Sequence, residues 1–182
     1  MDNNSERQKV RVSREEFAHA LLHWLRLMVS KESTKEVADK FGFKVKKNED
    51  FLKMRHELLL LNIWFIFDAC QCAIEDVEKR DACLNRFLGL IFAGDTGGKF
   101  EGVPAWLRTV RLRCRIYAEA MGMEYLKTGL LGENSLREVS KVIGRSLFGE
   151  AITDIDVLTH IILYVSATQI ATLQMVHEYD IH

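Results

Sequence analysis

The sequence predicts an all-α protein, a helical bundle of about six helices. Three observations support this fold class. The chain of 182 residues contains one proline, Pro104. Apolar residues recur every three or four positions over several long stretches, as they do along one face of a helix. The alternation of apolar and polar residues that marks a strand is nowhere sustained. Since proline interrupts helices and alternation favours sheets, long helices are the expected architecture.

The composition is that of an ordinary globular chain, with 48 % hydrophobic and 28 % charged residues. A chain of this length is enough for one domain with a sizeable core. We expect a single domain over residues 13–182, preceded by a flexible N-terminus at residues 1–12. Two halves, residues 13–93 and 103–182, joined by a glycine-rich loop, are the alternative.

The net charge and the absence of a targeting signal limit the cellular location and the binding partners that we expect. The net charge of -1 gives no overall attraction to nucleic acid or to an anionic membrane. Residues 1–14 are polar and lack the apolar central region of a secretory leader. We therefore expect a cytoplasmic protein and do not expect nucleic acid as a partner.

The first two helices have clear boundary signals. Ser13 and Glu16 form a capping box pattern, in which each side chain accepts from the backbone amide of the other. This predicts a first helix that runs to about Ser30. A short helix over Thr34–Phe41 follows, and Gly42 suits the left-handed turn that ends helices.

The middle of the chain predicts a buried central helix. Asp50 is the expected cap of a long helix that ends near Glu78. This helix contains residues 58–67, which are apolar on every side and therefore have to be enclosed by other helices. A shorter helix is expected over Asp81–Phe92, followed by a loop with four glycines over residues 94–102.

Three further helices are expected in the second half. Pro104 fits the first turn of a helix, where its missing amide hydrogen costs nothing. Ser135 or Asn134 is the expected cap of a short helix. Thr153 is the expected cap of the last helix, which runs to about His177.

Within that last helix, residues 157–176 include no charged side chain. A stretch of this length could cross a bilayer, but polar groups at nearly every turn would be costly in lipid, so we do not expect a membrane span. Leu163 and Ile170 lie well round from the main apolar face. A helix with more than one apolar face in so small a protein predicts a homodimer, or another protein partner.

Two segments resemble each other, Ser33–Gly42 and Ser135–Gly144. A duplicated three-helix unit is therefore an alternative description of the fold. Both segments also resemble the first helix of a helix-turn-helix DNA-binding motif, with Ala38 or Ser140 as the small residue at the helix contact. No recognition helix follows either segment, so DNA binding is not expected.

Basic residues align along two of the predicted helices. Clustered cations raise the local potential and can bind phosphate or an acidic partner, although solvated helix faces often have the same pattern. The candidate anion-binding or partner-binding residues are Arg108, Arg111, Arg115, Arg137, Lys141 and Arg145.

The candidate metal ligands are Glu16, His19 and His23, which are spaced by about one helical turn. A Glu-x-x-His pattern on a bundle helix binds iron in di-iron proteins, but those proteins need the motif twice with two further carboxylates. A second group of carboxylates, at residues 75, 76, 78 and 81, could hold magnesium against a phosphate. Neither set is complete, so no cofactor is expected.

Asn62 and Asp68 are polar residues of the central helix and must find partners if they are buried. Together with Trp64 and Phe65 they could line a small pocket for an apolar ligand. The alternative is a set of structural hydrogen bonds within a packed aromatic core.

The four cysteines all lie in predicted helices. Cys70 and Cys72 are two positions apart and do not share a helix face, so the spacing does not suit a metal site. We expect the cysteines to be small apolar core groups.

No complete catalytic signature is present, so the leading hypothesis is a non-catalytic interaction or regulatory module that self-associates. A metal-dependent hydrolase acting on phosphate compounds is one alternative. A sensor with an internal pocket for an apolar ligand is the other.

Overall fold

The computed structural model describes residues 9–95, 103–128, 132–150 and 152–182. Within them the chain forms seven helices and a small parallel sheet, which confirms the all-α class. In chain order the elements are β1 (Val10–Val12), α1 (Arg14–Met28), α2 (Lys31–Lys40), α3 (Asn48–Ala73), α4 (Val77–Asp95), α5 (Val103–Thr128), α6 (Glu133–Phe148), α7 (Ile155–His177) and β2 (Tyr179–Ile181).

Helix α3 is the central helix, as predicted from its uninterrupted apolar run. It packs against each of the other six helices. Its middle section, residues 60–66, is buried at every position. Buried residues from all seven helices join it in one contiguous core. That core includes residues from both 13–93 and 103–182, so the two segments enclose the same central helix.

The predicted capping box of the first helix and the predicted end of the second helix at Gly42 are confirmed. The second helix begins at Lys31 rather than Thr34, because the Ser30 side chain caps it by accepting from the Ser33 amide. The Ser13 amide donates to Glu16 Oε2 at 2.8 Å, and the Glu16 amide donates to Ser13 Oγ at 3.2 Å. Gly42 has φ of +66°, and the next amide, of Phe43, donates to Ala38 O at 2.8 Å. This left-handed turn satisfies carbonyls at the end of α2, as glycine does at many helix ends.

The boundary between α3 and α4 differs from the prediction. The long helix ends at Ala73 rather than near Glu78, because Ile74 adopts an extended conformation with φ of −116° and ψ of 100°. Asp76 then starts the next helix early, since its Oδ1 accepts from the Lys79 amide at 2.9 Å. A short aspartate side chain at this position stabilises a helix start.

The predicted caps of the last two helices also differ from the observed ones, two or three residues too late for α6 and one residue too early for α7. Gly132 is the N-cap of α6, and Ser135 instead donates its hydroxyl to Met121 O at 2.6 Å. Asp154 rather than Thr153 caps α7, with its Oδ1 accepting from the Asp156 amide at 2.9 Å. Several adjacent residues with capping side chains make such boundaries ambiguous in a sequence.

The two short strands were not predicted. β1 pairs in parallel with β2, with Val10 opposite Tyr179 and Val12 opposite Ile181. Residues 10–12, assigned to the flexible N-terminus from the sequence, are therefore paired with the segment after α7. Three-residue strands are too short to show a strand alternation that differs from chance.

Helix α5 bends at Gly122, which has φ of +79° and ψ of 171° inside the helix. Glycine reaches this conformation without the penalty that a side chain imposes. The glycine-rich loop that we predicted falls mostly on residues 96–102, which lie outside the described residues, while Gly94 belongs to the end of α4.

A buried charge cluster joins α3 to α5. Glu57 is 4 % exposed, and its carboxylate accepts from Arg113 Nη2 at 2.8 Å and from the Tyr117 hydroxyl at 2.6 Å. Burial raises the pKa of Tyr117 well above its ordinary value, and the adjacent Glu57 carboxylate raises it further. The phenol therefore stays protonated and donates. Both acceptor oxygens of a buried carboxylate are thus satisfied, as such a group requires.

We expect Tyr117→Phe to lower the free energy of unfolding by about 1.5–3 kcal/mol, the usual range for a hydrogen bond to a charged group. Urea unfolding followed by circular dichroism measures the change. Tyr179→Phe is the matched control, because the Tyr179 ring contacts Phe17 but no hydrogen bond of its hydroxyl is among the described contacts. Equal stability losses in the two variants would contradict a stabilising role for the cluster.

The two similar segments end differently. The first ends in the left-handed turn at Gly42, whereas α6 continues through Gly144 to Phe148. Gly144 lies against Ile152, so close that an added Cβ would be 2.1 Å from Ile152 Cδ1 and 2.5 Å from Cγ1. Glycine is therefore required here for the close packing of Ile152 on α6.

Gly144→Ala should lower stability by about 1–3 kcal/mol, the usual cost of overpacking. Gly89→Ala is the matched control, since it also lies in a helix but has no atom within 4 Å of an added Cβ. It should raise stability by about 0.5–1 kcal/mol through helix propensity. Thermal melts of both variants measure the two changes in stability. Stabilisation by both substitutions would contradict the requirement for glycine at position 144, because it would show that the Ile152 side chain moves aside at little cost.

Candidate binding surfaces

The polar residues of the central helix are used in packing against α7. The Asn62 Nδ2 atom donates to Leu58 O at 2.8 Å and to the Tyr164 hydroxyl at 3.2 Å. Gln169 Nε2 donates to Asp68 Oδ2 at 3.1 Å. These contacts fix the position of α7 on α3, which is the structural alternative stated for these residues.

The aromatic residues predicted to share a pocket with Asn62 and Asp68 are packed against other rings. The Trp64 ring centroid is 5.0 Å from that of Phe65 and 5.6 Å from that of Tyr117. Both Trp64 and Phe65 are buried. Trp64 thus contacts α5 through Tyr117, whereas Asn62 and Asp68 make their hydrogen bonds with α7.

The predicted metal ligands of α1 are not brought together either. Glu16 accepts from Ser13, while His19 Nε2 lies 3.3 Å from Glu15 Oε1. No group of three potential metal ligands forms among the described residues. Glu15 also accepts from Arg86, and this hydrogen bond is the main cause of the lowered pKa of Glu15. His23 is exposed on the same helix.

The predicted acidic cluster lies at the link between α3 and α4. Asp76 caps α4 by accepting a hydrogen bond from the Lys79 amide, and this hydrogen bond lowers the pKa of the Asp76 carboxyl. Glu75, Glu78 and Asp81 are exposed around this helix start. Glu78 lies in the first turn of α4, where the helix dipole stabilises a carboxylate, and Asp81 forms an ion pair with Arg80.

The predicted basic residues lie on α5 and α6, which pack against each other. Arg115 forms an ion pair with Glu119, and Lys141 forms one with Glu138. The other four predicted residues, Arg108, Arg111, Arg137 and Arg145, are exposed. Part of the positive charge of these two helices is thus neutralised locally, as on ordinary solvated helix faces.

Three of the four cysteines are wholly or partly enclosed. Burial raises the pKa of both Cys70 and Cys114 to about 12. Burial also raises the pKa of Cys83. Cys72 is exposed, although partial desolvation raises the pKa of its thiol as well.

Since the thiolate is the reactive form, native protein treated with a disulfide reagent at pH 8 should show one thiol reacting well before the other three. We expect Cys72→Ser to abolish this phase and Cys114→Ser to leave it intact. Rapid reaction of several thiols in the folded protein would contradict the packing of α3 against its neighbours.

Helix α7 exposes an apolar surface on the side opposite the core. Within the described residues it is the one helix long and apolar enough to cross a membrane, yet 28 % of its most apolar stretch is buried inside the chain. Leu163 is 60 % exposed and Ile170 is 53 % exposed. We call this surface the α7 outer face and define it by six exposed residues: His160, Leu163, Ala167, Ile170, Gln174 and His177.

The spacing of the α7 outer face is that of a helix-packing seam. Its residues follow one another at alternating intervals of three and four, which is the repeat that places side chains along one side of a helix against a partner helix. Ala167 lies at the middle of the row, with a larger apolar residue on each side. A small residue between larger ones allows two helices to approach closely.

A second surface is a groove between α1, the first half of α3 and the end of α4. Its volume is about 590 Å³. We call it the basic groove. It is lined by six apolar and four basic or imidazole side chains: Leu22, Leu25, Val29, Leu52, Leu59, Ile91, Arg26, Lys53, Arg55 and His56.

Two cations of the basic groove have backbone carbonyls as hydrogen-bond partners. Arg55 Nε donates to Val29 O at 3.2 Å, and Lys53 Nζ donates to Leu147 O at 2.6 Å. These carbonyls hold the side chains in place without cancelling their charge. Among the described residues that line the groove there is no aspartate or glutamate.

Sequence reasoning did not identify the basic groove, because its walls come from three helices that are separated along the chain. The segment 52–59 contains apolar, basic and acidic residues, a mixture that on its own resembles a solvated helix edge.

No protein-family model matches the chain, and neither the curated proteins nor the solved structures include a significant match to it. A functional proposal therefore depends on the surfaces of this fold.

Proposed function

We propose that the protein is a non-catalytic interaction module that functions as a homodimer, in which the α7 outer faces of two subunits pack against each other. The observation that supports it is the uncharged, exposed seam centred on Ala167. Leu163 and Ile170, on either side of Ala167, are each more than half exposed, and large exposed apolar side chains of this kind mark a surface that gains free energy when it is covered.

The seam is self-complementary when two copies of α7 run antiparallel. A two-fold axis at Ala167 places Leu163 opposite Ile170 of the partner subunit, and His160 opposite the partner's Gln174. Each large apolar residue then meets an apolar residue, while the two small Ala167 side chains meet at the axis. Such reciprocal contacts are what a two-fold interface requires.

The polar residues at the ends of α7 favour the same antiparallel orientation. Asp156 lies in the first turn and His177 in the last. In an antiparallel pair the Asp156 carboxylate faces the partner's His177 imidazole, which can donate a hydrogen bond to it, and the opposed helix dipoles are also favourably aligned. A parallel pair would place the two Asp156 carboxylates side by side.

Two other occupants of this seam are weaker candidates. A bilayer would have to accommodate the polar side chains of the seam, and the opposite face of α7 is already committed to hydrogen bonds with α3. The metal-dependent hydrolase is also less well supported, because Glu15, Glu16 and Asp76 make structural contacts within the described residues.

We expect the unmodified protein to be a dimer and Ile170→Glu to be a folded monomer, because two carboxylates would be buried beside the seam. Size-exclusion chromatography with light scattering gives the masses. Leu112→Glu is the matched control, since Leu112 is 59 % exposed on α5 and lies outside the seam. A monomeric unmodified protein, or a requirement for detergent in its extraction, would overturn the proposal.

The antiparallel orientation of the two α7 helices is tested by cysteine cross-linking in a Cys72→Ser background. Ala167→Cys should form an intersubunit disulfide under mild oxidation, because its Cα lies next to its own copy at the axis. Leu163→Cys should cross-link poorly alone but readily with Ile170→Cys on the other subunit. Efficient self-cross-linking of Leu163→Cys would indicate a parallel pair instead.

A further inference from the structure

We propose that the basic groove is a binding site for a small anionic amphiphile, with its apolar tail between α1 and α3 and its charged head at the basic rim. This site is distinct from the α7 outer face and does not depend on dimerisation, because its walls belong to α1, α3 and α4 of one subunit.

The inner part of the groove is apolar. Leu22, Leu25, Val29 and Ile91 are nearly fully buried there, whereas Leu52 is 49 % exposed. An alkyl chain placed against these side chains removes apolar surface from water without leaving a polar group unpaired. The volume of about 590 Å³ also lies within the range of small-molecule sites.

The positive charge of the rim favours a ligand with an anionic head group. Arg26, Lys53 and Arg55 surround the groove with no carboxylate among the lining residues. Beside apolar walls, where water screens less, uncompensated cations attract an anion more strongly than they would at an open surface. Guanidinium groups bind carboxylate or phosphate oxygens through paired hydrogen bonds. The apolar inner part and the cationic rim together are therefore complementary to a ligand with an alkyl chain and an anionic end.

Two rim cations have fixed positions, which favours a site over a chance cluster. Arg55 is held by the end of α1 through Val29 O, and Lys53 is held by the end of α6 through Leu147 O. Arg55 uses only its Nε in this contact and Lys53 uses one of the three N–H groups on Nζ, so both retain donors for a ligand. Side chains held in this way lose less conformational entropy when a ligand binds.

The test uses isothermal titration calorimetry of the full chain with dodecanoate and with dodecyltrimethylammonium, both below their micelle concentrations. The tails are the same length and the head charges are opposite. We expect dodecanoate to bind at one site per subunit and at least about tenfold more tightly, as a few charge-assisted contacts would give. Raised salt should weaken it. Equal affinity for the two amphiphiles, or no dodecanoate binding, would overturn the proposal.

Substitutions in the basic groove test whether dodecanoate binds there. Arg26→Gln combined with His56→Gln removes rim groups for which the structure shows no structural bond, and it should weaken dodecanoate binding about tenfold or more. Arg111→Gln is the matched control for loss of surface charge and should have no effect. Leu52→Glu should abolish binding by placing a carboxylate in the rim, whereas Leu112→Glu should not.

Each variant is first checked by a thermal melt, so that loss of binding is compared only among folded chains. Ile170→Glu serves as a further control, because it changes the seam and leaves the groove intact. It should bind dodecanoate normally whether or not it dimerises. Unchanged binding in both Leu52→Glu and the Arg26/His56 double variant would place the ligand elsewhere and contradict the proposed site.

Discussion

Enclosing α3 is the constraint on which the rest of the structure depends. Its middle section has no face that water can solvate, so the other six helices are arranged around it. Covering one helix on all sides uses the apolar faces of its neighbours and leaves little to cover those neighbours in turn. Helix α7 is the clearest case, because its inner face is fixed on α3 while its outer face remains apolar and exposed.

Polar groups inside this core give it a single arrangement. A purely apolar α3 would allow its neighbours to slide or rotate at small cost, since hydrophobic contact has no direction. Glu57 makes hydrogen bonds with α5 through Arg113 and Tyr117, and Asn62 makes one with α7 through Tyr164. An unpaired buried polar group is costly, so each pair favours one register. The positions of both proposed binding surfaces follow from these registers.

The sequence was sufficient for the fold class and the buried central helix, because helical periodicity and the capping box of Ser13 are local signals. Cap positions within runs of polar residues, such as Thr153 and Asp154, could not be resolved by residue type alone. The charge cluster at Glu57 and the basic groove depend on contacts between distant segments, which no local pattern records. The seam was partly predictable, since Leu163 and Ile170 were separated from the main apolar face, but its exposure required the packed structure.

The proposed coverage of the α7 outer face by a second subunit is measured directly by carbene footprinting at several protein concentrations, because carbenes label accessible aliphatic side chains. Leu163 and Ile170 should be weakly labelled at high concentration and increasingly labelled on dilution, while Leu112 stays strongly labelled throughout. Equal and concentration-independent labelling of all three side chains would contradict the account.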